Sequence, residues 1–336
     1  SVGLRVRAAS PCGRAIGEGR SRRPGLGAKS PCGSFGSPAV SGRGPSIEAS
    51  RAACESIVRR RALNFFHGLR LTPEPERAAL FALYAWMREV DDIVDDGGDD
   101  RETALDRFAA HTDRALAGES PDDGRAMWPA FVEAVIRHRL PAGPFHDMIE
   151  GQRDDIDFTS LKDWPALREF CRRVASTVGE LCVRIWGLDD PESLDLAERR
   201  GIAFQLTNIL RDVREDHARG RVYLPQEELR AASLSTEDLL AWRRPAECEV
   251  FVAAQCLRAR AHYDESAPLE ERLRPECRPT LWAMTRIYSD ILGRIEARPS
   301  RLAGARVRLG TLRKICIAFE AKRLGRRWAR SAATPA

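Results

Sequence analysis

The chain has 336 residues, with 54 Lys and Arg against 49 Asp and Glu, a formal net charge of +5 and 43% hydrophobic residues. That balance is expected of a soluble globular chain with a sizeable core, and it excludes a collagen-like or wholly disordered one. No run approaches the ~20 apolar residues that span a bilayer, and the nine Cys form no CxxC pair, which excludes zinc-ribbon and thioredoxin motifs and fits free thiols in a reducing compartment.

Residues 1–50 are rich in Gly, Ser and Pro, repeat Ser-Pro-Cys-Gly at 10–13 and 30–33, and lack helical periodicity. Such a segment buries too little apolar surface to offset its conformational entropy, so a disordered extension is expected. It lacks the apolar core of a signal peptide, and a cytoplasmic protein is expected. The extension carries eight of the basic residues and two of the acids, leaving 46 basic and 47 acidic groups elsewhere. The positive balance therefore lies in the extension, whose one aromatic is Phe35. No specific nucleic-acid partner is expected.

From residue 51 onward apolar residues recur at helical spacing and alternating β-branched runs are nearly absent. The reading is an all-α chain of nine or ten helices. It forms a single domain over 51–325, followed by a disordered tail at 326–336. Thr72-Pro73-Glu74 and Ser235-Thr236-Glu237-Asp238 read as helix starts, and Gly97-Gly98 and Gly187 as stops.

Two acidic clusters stand out. Over 74–96 a helix face of Ala79, Leu80, Leu83, Trp86, Met87 and Val90 leads into Asp91-Asp92-Ile93-Val94-Asp95-Asp96. Acids four apart repel by roughly 0.2–0.5 kcal/mol per pair, and acids at a helix C-terminus oppose the macrodipole. A positive partner is therefore expected. In the second cluster Asn208, Asp212 and Asp216 fall at i, i+4 and i+8, with Gln205 one turn earlier. A row of hard oxygen donors suits Mg²⁺, with Mn²⁺ as a substitute, bridging to substrate phosphates. Arg88 and Arg211 beside the acids fit a diphosphate better than a metal alone. An EF-hand is excluded because Asp91–Gly98 lacks its alternation.

The stretches 65–96, 151–187 and 201–225 (GIAFQLTNILRDVREDHARGRVYLP), with weaker similarity near 287–309, resemble the squalene/phytoene synthases, head-to-head prenyl diphosphate condensing enzymes. The resemblance covers about 51–325. It implies an isoprenoid-synthase-type helical domain with a central cavity and Asp clusters on opposing helices. It places metal ligation on Asp91, Asp92, Asp95, Asn208, Asp212 and Asp216, with Asp91, Asp95, Asp212, Asp216 and Tyr288 catalytic. Tyr84, Arg88, Gln205, Arg211 and Arg306 would contact substrate, and Asp155 matches a further acid. The chain departs from the family where a Ser-Ser pair is common (here Leu63 and Asn64) and where Tyr-Cys-Tyr is common (here Phe170, Cys171 and Arg172).

The resemblance implies a prenyltransferase joining two allylic prenyl diphosphates head-to-head (1′-1) with Mg²⁺-assisted loss of diphosphate. Two farnesyl units giving presqualene diphosphate or squalene are expected first, a choice with which Arg172 is compatible. The alternative is two geranylgeranyl units giving phytoene. Phe65, Phe66, Val174, Val178 and Leu206 are expected to line the tunnel. No GxGxxG follows a strand, so NADPH use is unsupported. Residues 306–330 hold nine basic residues and one acid, with Leu309, Leu312, Cys316 and Phe319 at helical spacing, a pattern suited to an anionic membrane surface at the inner face. A non-catalytic membrane scaffold is the rival function, and a monomer is the expected state.

Overall fold

A computed structural model describes residues 45–61, 66–96 and 100–333. Residues 1–44, the Gly97-Gly98 stop, and Leu63, Asn64 and Phe65 lie outside the described residues; of the extension expected to be disordered over 1–50, residues 47–50 instead open a helix. The helices in chain order are α1 (Ile47–Arg61), α2 (Phe66–Leu69), α3 (Glu76–Asp96), α4 (Arg101–Leu116), α5 (Trp128–His138), α6 (Gly143–Arg153) and α7 (Trp164–Cys171). A π turn, Arg172–Ser176, leads into α8 (Thr177–Ile185) and the long α9 (Pro191–His217). Then come α10 (Gln226–Ala231), α11 (Thr236–Ala241), α12 (Pro245–Glu265), α13 (Leu269–Arg272), α14 (Arg278–Glu296) and α15 (Thr311–Ala333). Among the described residues the only β pairing is a single parallel bridge, Ser160 to Val222.

The all-α class is as the periodicity predicts. The helices outnumber the predicted nine or ten because the π turn divides one run and several segments last barely a turn. Ser235 does start α11, accepting from Asp238 N at 3.1 Å while the Asp238 carboxylate accepts from Ser235 N, a reciprocal capping box. α3 starts at Glu76, later than Thr72-Pro73-Glu74 predicts, and the Glu74 carboxylate accepts from Ala78 N at 3.1 Å. The boundary at 325 is overrun: α15 continues through the segment expected as a tail, a basic helix packed on α14. No helix among the described residues is long and apolar enough to cross a membrane.

Two packing centres position the acids. Trp86 of α3 is fully buried against Phe108 (α4), Phe131 (α5) and Phe145 (α6), with ring centroids 4.9–5.9 Å apart. Its indole N–H donates to Thr112 Oγ1 at 3.0 Å, so the one polar atom of the cluster is satisfied. This clamp fixes the helix whose last turns carry Asp91–Asp95. The second centre is α9, which starts on the Asp190 cap (accepting from Ser193 N, 3.0 Å) with Pro191 at its first turn. It packs against α8, α12 and α14 and is buried nearly all round, polar residues included.

Gly201 makes that burial feasible, because a Cβ there would lie 2.6 Å from Ser176 Cα and 2.9 Å from Ser176 N. Gly201→Ala is therefore expected to destabilise the fold by about 1–3 kcal/mol through overpacking. Gly143→Ala, with nothing within 4 Å of the added methyl, should change stability by less than about 0.5 kcal/mol. Urea unfolding midpoints of the two variants check the contrast.

Candidate active site

The first acid row meets the positive partner its helix end demands. Arg88, one turn before the acids, pairs with Asp92 and lies 3.6 Å from Asp91. Burial opposes the Arg88 charge, but Asp91 and Asp92 outweigh it and hold the guanidinium firmly protonated. Gln152 of α6 donates to Asp91 Oδ1 at 2.9 Å, and Arg221 reaches Asp95 at 3.8 Å. Asp92 is drawn elsewhere, toward Arg61 of α1 at 3.3 Å. Asp91 and Asp95 thus form the inward row, and Asp92 sits on the α1 side of it.

The second row is more strongly cationic. Arg211 grips Asp212 through two hydrogen bonds of 2.8 and 2.6 Å, and Arg306 grips the same carboxylate at 2.8 Å on both oxygens. All three residues are nearly excluded from solvent. One carboxylate between two guanidinium forks leaves an excess of positive charge, offset in part by Glu215 at 3.3 Å from Arg306. The strain registers in the proton affinities. Burial and then Arg211 pull Arg306 below the ordinary arginine value, and burial with Arg308 and Arg211 lowers Lys314 at the start of α15. An anion carrying several oxygens is what such a cluster accommodates.

Two bridges connect the rows. Tyr84 of α3, buried with its hydroxyl lacking a hydrogen-bond partner among the described residues, interacts electrostatically with Arg88, Asp91 and Tyr288. Burial raises the pKa of both tyrosines. Tyr288 of α14 is hydrogen-bonded by Asn208 and Arg211. The second bridge is built by the short parallel pairing, where Val222 N donates to Thr159 O at 2.8 Å. It delivers Arg221 to Asp155 (3.1 Å) and Asp95, and Tyr223 to Asp155 Oδ1 (2.6 Å). Tyr223 packs in a triangle with Phe158 and Phe170, whose ring centroids lie 4.7 and 4.8 Å from it and 6.1 Å from each other. Burial, then Asp155, raises its pKa, and Asp216 acts in the same sense.

Below the acids, a narrow apolar cavity of about 70 Å³, partly open to solvent, runs from Gln205 and Asn208 between α8, α9 and α14. Val174 and Val178 line it as predicted. Leu206 does not: it lies on another face of α9, in the core. Nor is Phe66 among the lining residues; it stacks on Phe81 at 6.2 Å. Arg172 is also placed differently from expectation. It binds Glu169 at 2.9 Å and Asp147 at 2.7 Å on the half-exposed side of the π turn, away from both acid rows, and so carries no information on substrate length.

Sequence reasoning thus brings together Asp91, Asp95, Tyr84, Arg88, Gln205, Asn208, Arg211, Asp212, Asp216, Tyr288 and Arg306. It misses Gln152, Arg221, Tyr223 and Lys314. Gln152 stands in the matched stretch 151–187, and Arg221 and Tyr223 in the matched GRVYLP, a signal available from the motifs; Lys314 carries no local one.

The Arg172 network supplies a titration test. Hydrogen bonds from Arg172, then Arg173, hold the Glu169 carboxyl down at about 2, against an ordinary 4.5. A depressed carboxylate contributes stability above its unfolded pKa and loses it as the pH falls through the folded one. Glu169→Gln should lower stability at pH 7 by less than about 1 kcal/mol, since the group is half-exposed and screened. The deficit against the parent should shrink between pH 4.5 and pH 2, as read from paired thermal melts.

A family model described as squalene/phytoene synthase matches residues 58–313. A 15-cis-phytoene synthase of Synechococcus elongatus is 35% identical over 286 residues, covering 81% of this chain and 92% of its own. A phytoene synthase of Mycobacterium bovis is 35% identical over 280 residues, with coverages of 82% and 91%. Chloroplastic phytoene synthase 1 of Arabidopsis thaliana is 37% identical over 272 residues, which span 78% of this chain and 63% of that longer protein. Among solved structures, a squalene synthase of Alicyclobacillus acidocaldarius superposes with TM-score 0.71 at 29% identity, covering 76% of this chain and 95% of its own. A dehydrosqualene synthase solved with a ligand gives 0.73 at 26%, with coverages of 82% and 96%.

Proposed function

This chain belongs to the squalene/phytoene synthase family of prenyltransferases, and from that premise we propose that it joins two geranylgeranyl diphosphates head-to-head (1′-1) to phytoene. The observation that carries the reaction class is the pair of acid rows joined through Tyr84 and Tyr288 above an apolar cavity, with surplus cation at Arg211, Arg306 and Lys314. The preference for C20 over C15 substrates is supported by relatives named phytoene synthase at 35–37% identity. It replaces the farnesyl choice expected first from the sequence.

The donor set fits a hard divalent cation. It is all oxygen, and Asn208 Oδ1 is a buried acceptor with no hydrogen-bond partner among the described residues. Among those residues no three His, Cys, Asp or Glu side chains are grouped closely enough to hold a metal ion by themselves. Asp91, Asp95, Asn208, Asp212 and Asp216 would hold Mg²⁺, or Mn²⁺ in its place, which when bound supplies charge neutralisation of the leaving diphosphate.

The chain's own residues do the rest. Arg211, Arg306 and Lys314 bind diphosphate oxygens, so that Arg211 and Arg306 exchange part of their hold on Asp212 for the substrate. Breaking the allylic C1–O bond releases diphosphate and leaves a cation that Val174, Val178, Phe204 and Met284 shield from water. The 2,3-double bond of the second substrate attacks it, and loss of a proton closes a cyclopropylcarbinyl diphosphate. A second C–O cleavage, rearrangement and proton loss give phytoene, a sequence that consumes no hydride and so needs no NADPH.

Purified protein with Mg²⁺ and geranylgeranyl diphosphate should release diphosphate and form a C40 hydrocarbon by mass spectrometry. Asp91→Ala and Asp212→Ala should each lower the rate by on the order of 10²–10³-fold with helical content unchanged. A C30 product from farnesyl diphosphate at higher kcat/KM would overturn the C20 assignment, and an active Asp212→Ala would overturn the metal assignment.

We further propose that α15 lies on an anionic membrane surface. Leu312 (80% exposed), Ile315 and Phe319 (71%) share one face among basic residues. Apolar side chains in a basic frame are suited to the lipid interface from which polyprenyl substrates partition. Leu312→Ser/Phe319→Ser should lose co-sedimentation with phosphatidylglycerol vesicles while retaining diphosphate release in detergent. Vesicle binding without any diphosphate release from the parent protein would favour the scaffold instead.

A further inference from the structure

The cavity below the acid rows is graduated by depth on three elements. On the π turn and α8, the wall residues Val174, Val178, Cys182 and Trp186 recur every four residues, one helical turn apart. α9 runs antiparallel beside them, and two close approaches pin the register: Gly201 against Ser176, and Gly179, whose Cβ would lie 3.0 Å from the Ala197 carbonyl oxygen. Descending from Asn208, the α9 wall therefore passes Phe204 and Gly201 to Ala197. On α14 the order is Tyr288 in the diphosphate site, then Met284, then Leu281. The Gly179 contact sets Ala197 level with the middle of the α8 row, and Trp186 closes that row about 18 Å along from Val174 by the ~1.5 Å rise per helical residue.

Trp186 is built in as a rigid stop. It is 2% exposed, and its amide donates to Cys182 O at 3.0 Å. Its carbonyl accepts from Arg274 Nε at 3.3 Å, and Arg274 is itself paired with Glu76 at the start of α3. Gly187 follows in the left-handed region, φ 93°, where the chain turns toward α9. These bonds fix the backbone at 186, and the buried indole, whose N–H has no hydrogen-bond partner among the described residues, is held in place by packing. Arg200, the charged residue in the wall, is committed to Ser266, Thr285 and Glu270, so the lumen itself stays apolar.

An extended isoprene unit advances about as far as one helical turn, ~5.4 Å, so each step along 174, 178, 182, 186 measures one unit. We propose that Trp186 is the floor that limits the length of the prenyl chain this cavity accepts, with Cys182 the next graduation above it. The inference rests on the prenyltransferase reading, and it names the residue of this chain that decides substrate length. Replacing the indole by a smaller side chain lowers the floor by a step; enlarging Cys182 raises it by one.

Dissociation constants for the unreactive S-thiolodiphosphates of C15, C20 and C25 prenyl chains, measured by calorimetry with Mg²⁺, read the floor without turnover. In the parent protein the C25 analogue should bind about tenfold or more weaker than C20, because even one methylene too many in a closed apolar pocket carries ~10–200-fold discrimination. Trp186→Leu should bring C25 to within about threefold of C20, and Cys182→Phe should weaken C20 about tenfold relative to C15. The variants move the profile in opposite directions, so general loosening of the fold cannot imitate both. A chain-length profile unchanged in both overturns the assignment. A profile that shifts as stated, in a protein that releases no diphosphate from any natural prenyl diphosphate, supports the floor and overturns the reaction proposed above.

Discussion

A carboxylate taken out of water is costly unless a cation or a set of donors is brought to it, and the arrangement of this protein's helices follows from meeting that cost. Asp212 is held by guanidinium groups from two directions, one on its own helix and one beyond α14. Asp155 needs a tyrosine and an arginine from the segment after α9. Asp91 needs an amide from α6. All of these contacts but that of Arg211 join elements far apart in sequence, so the polar network contributes with the apolar core to which helices are neighbours. The core determines depth and spacing; the charges determine which ends of the helices meet.

The acid rows themselves were legible because their information is local. Four-residue spacing puts Asp91 with Asp95 and Asn208 with Asp212 on one side of a helix whatever surrounds it. Arg88 and Arg211 were legible for the same reason. Lys314 was not, since nothing near it in the chain ties a lysine to the distant Arg211. Leu206 was misplaced because α9 is buried on nearly all faces, and such a helix gives no periodic clue to which apolar residue faces a cavity and which faces core. Arg172 was read by its departure from a family pattern, yet orientation is decided by Glu169 and Asp147, which capture it at the surface.

The two guanidinium groups on Asp212 also explain how a site can be stable when empty of substrate and still bind a highly charged one. Without an anion, the carboxylate satisfies both forks, and Glu215 takes part of the excess. A diphosphate offers more oxygen acceptors than one carboxylate, so it competes for the same donors without leaving a buried cation bare. Lys314, whose proton affinity is lowered by burial and then by Arg308 and Arg211, would also gain from a nearby anion.

The π turn at Arg172–Ser176 inserts one residue relative to a regular helix. Each residue of an α-helix turns the chain by about 100°, so the insertion sets a phase difference between the segment before it and the segment after it. Phe170, before the turn, faces Tyr223 in the stack beneath Asp155, while Val174 and Val178 face the hydrocarbon lumen. A uniform helix would satisfy one of these orientations and rotate the other away. The irregularity is therefore a mechanical coupling: the width of the apolar passage and the seating of the tyrosine that steadies Asp155 share one torsional reference.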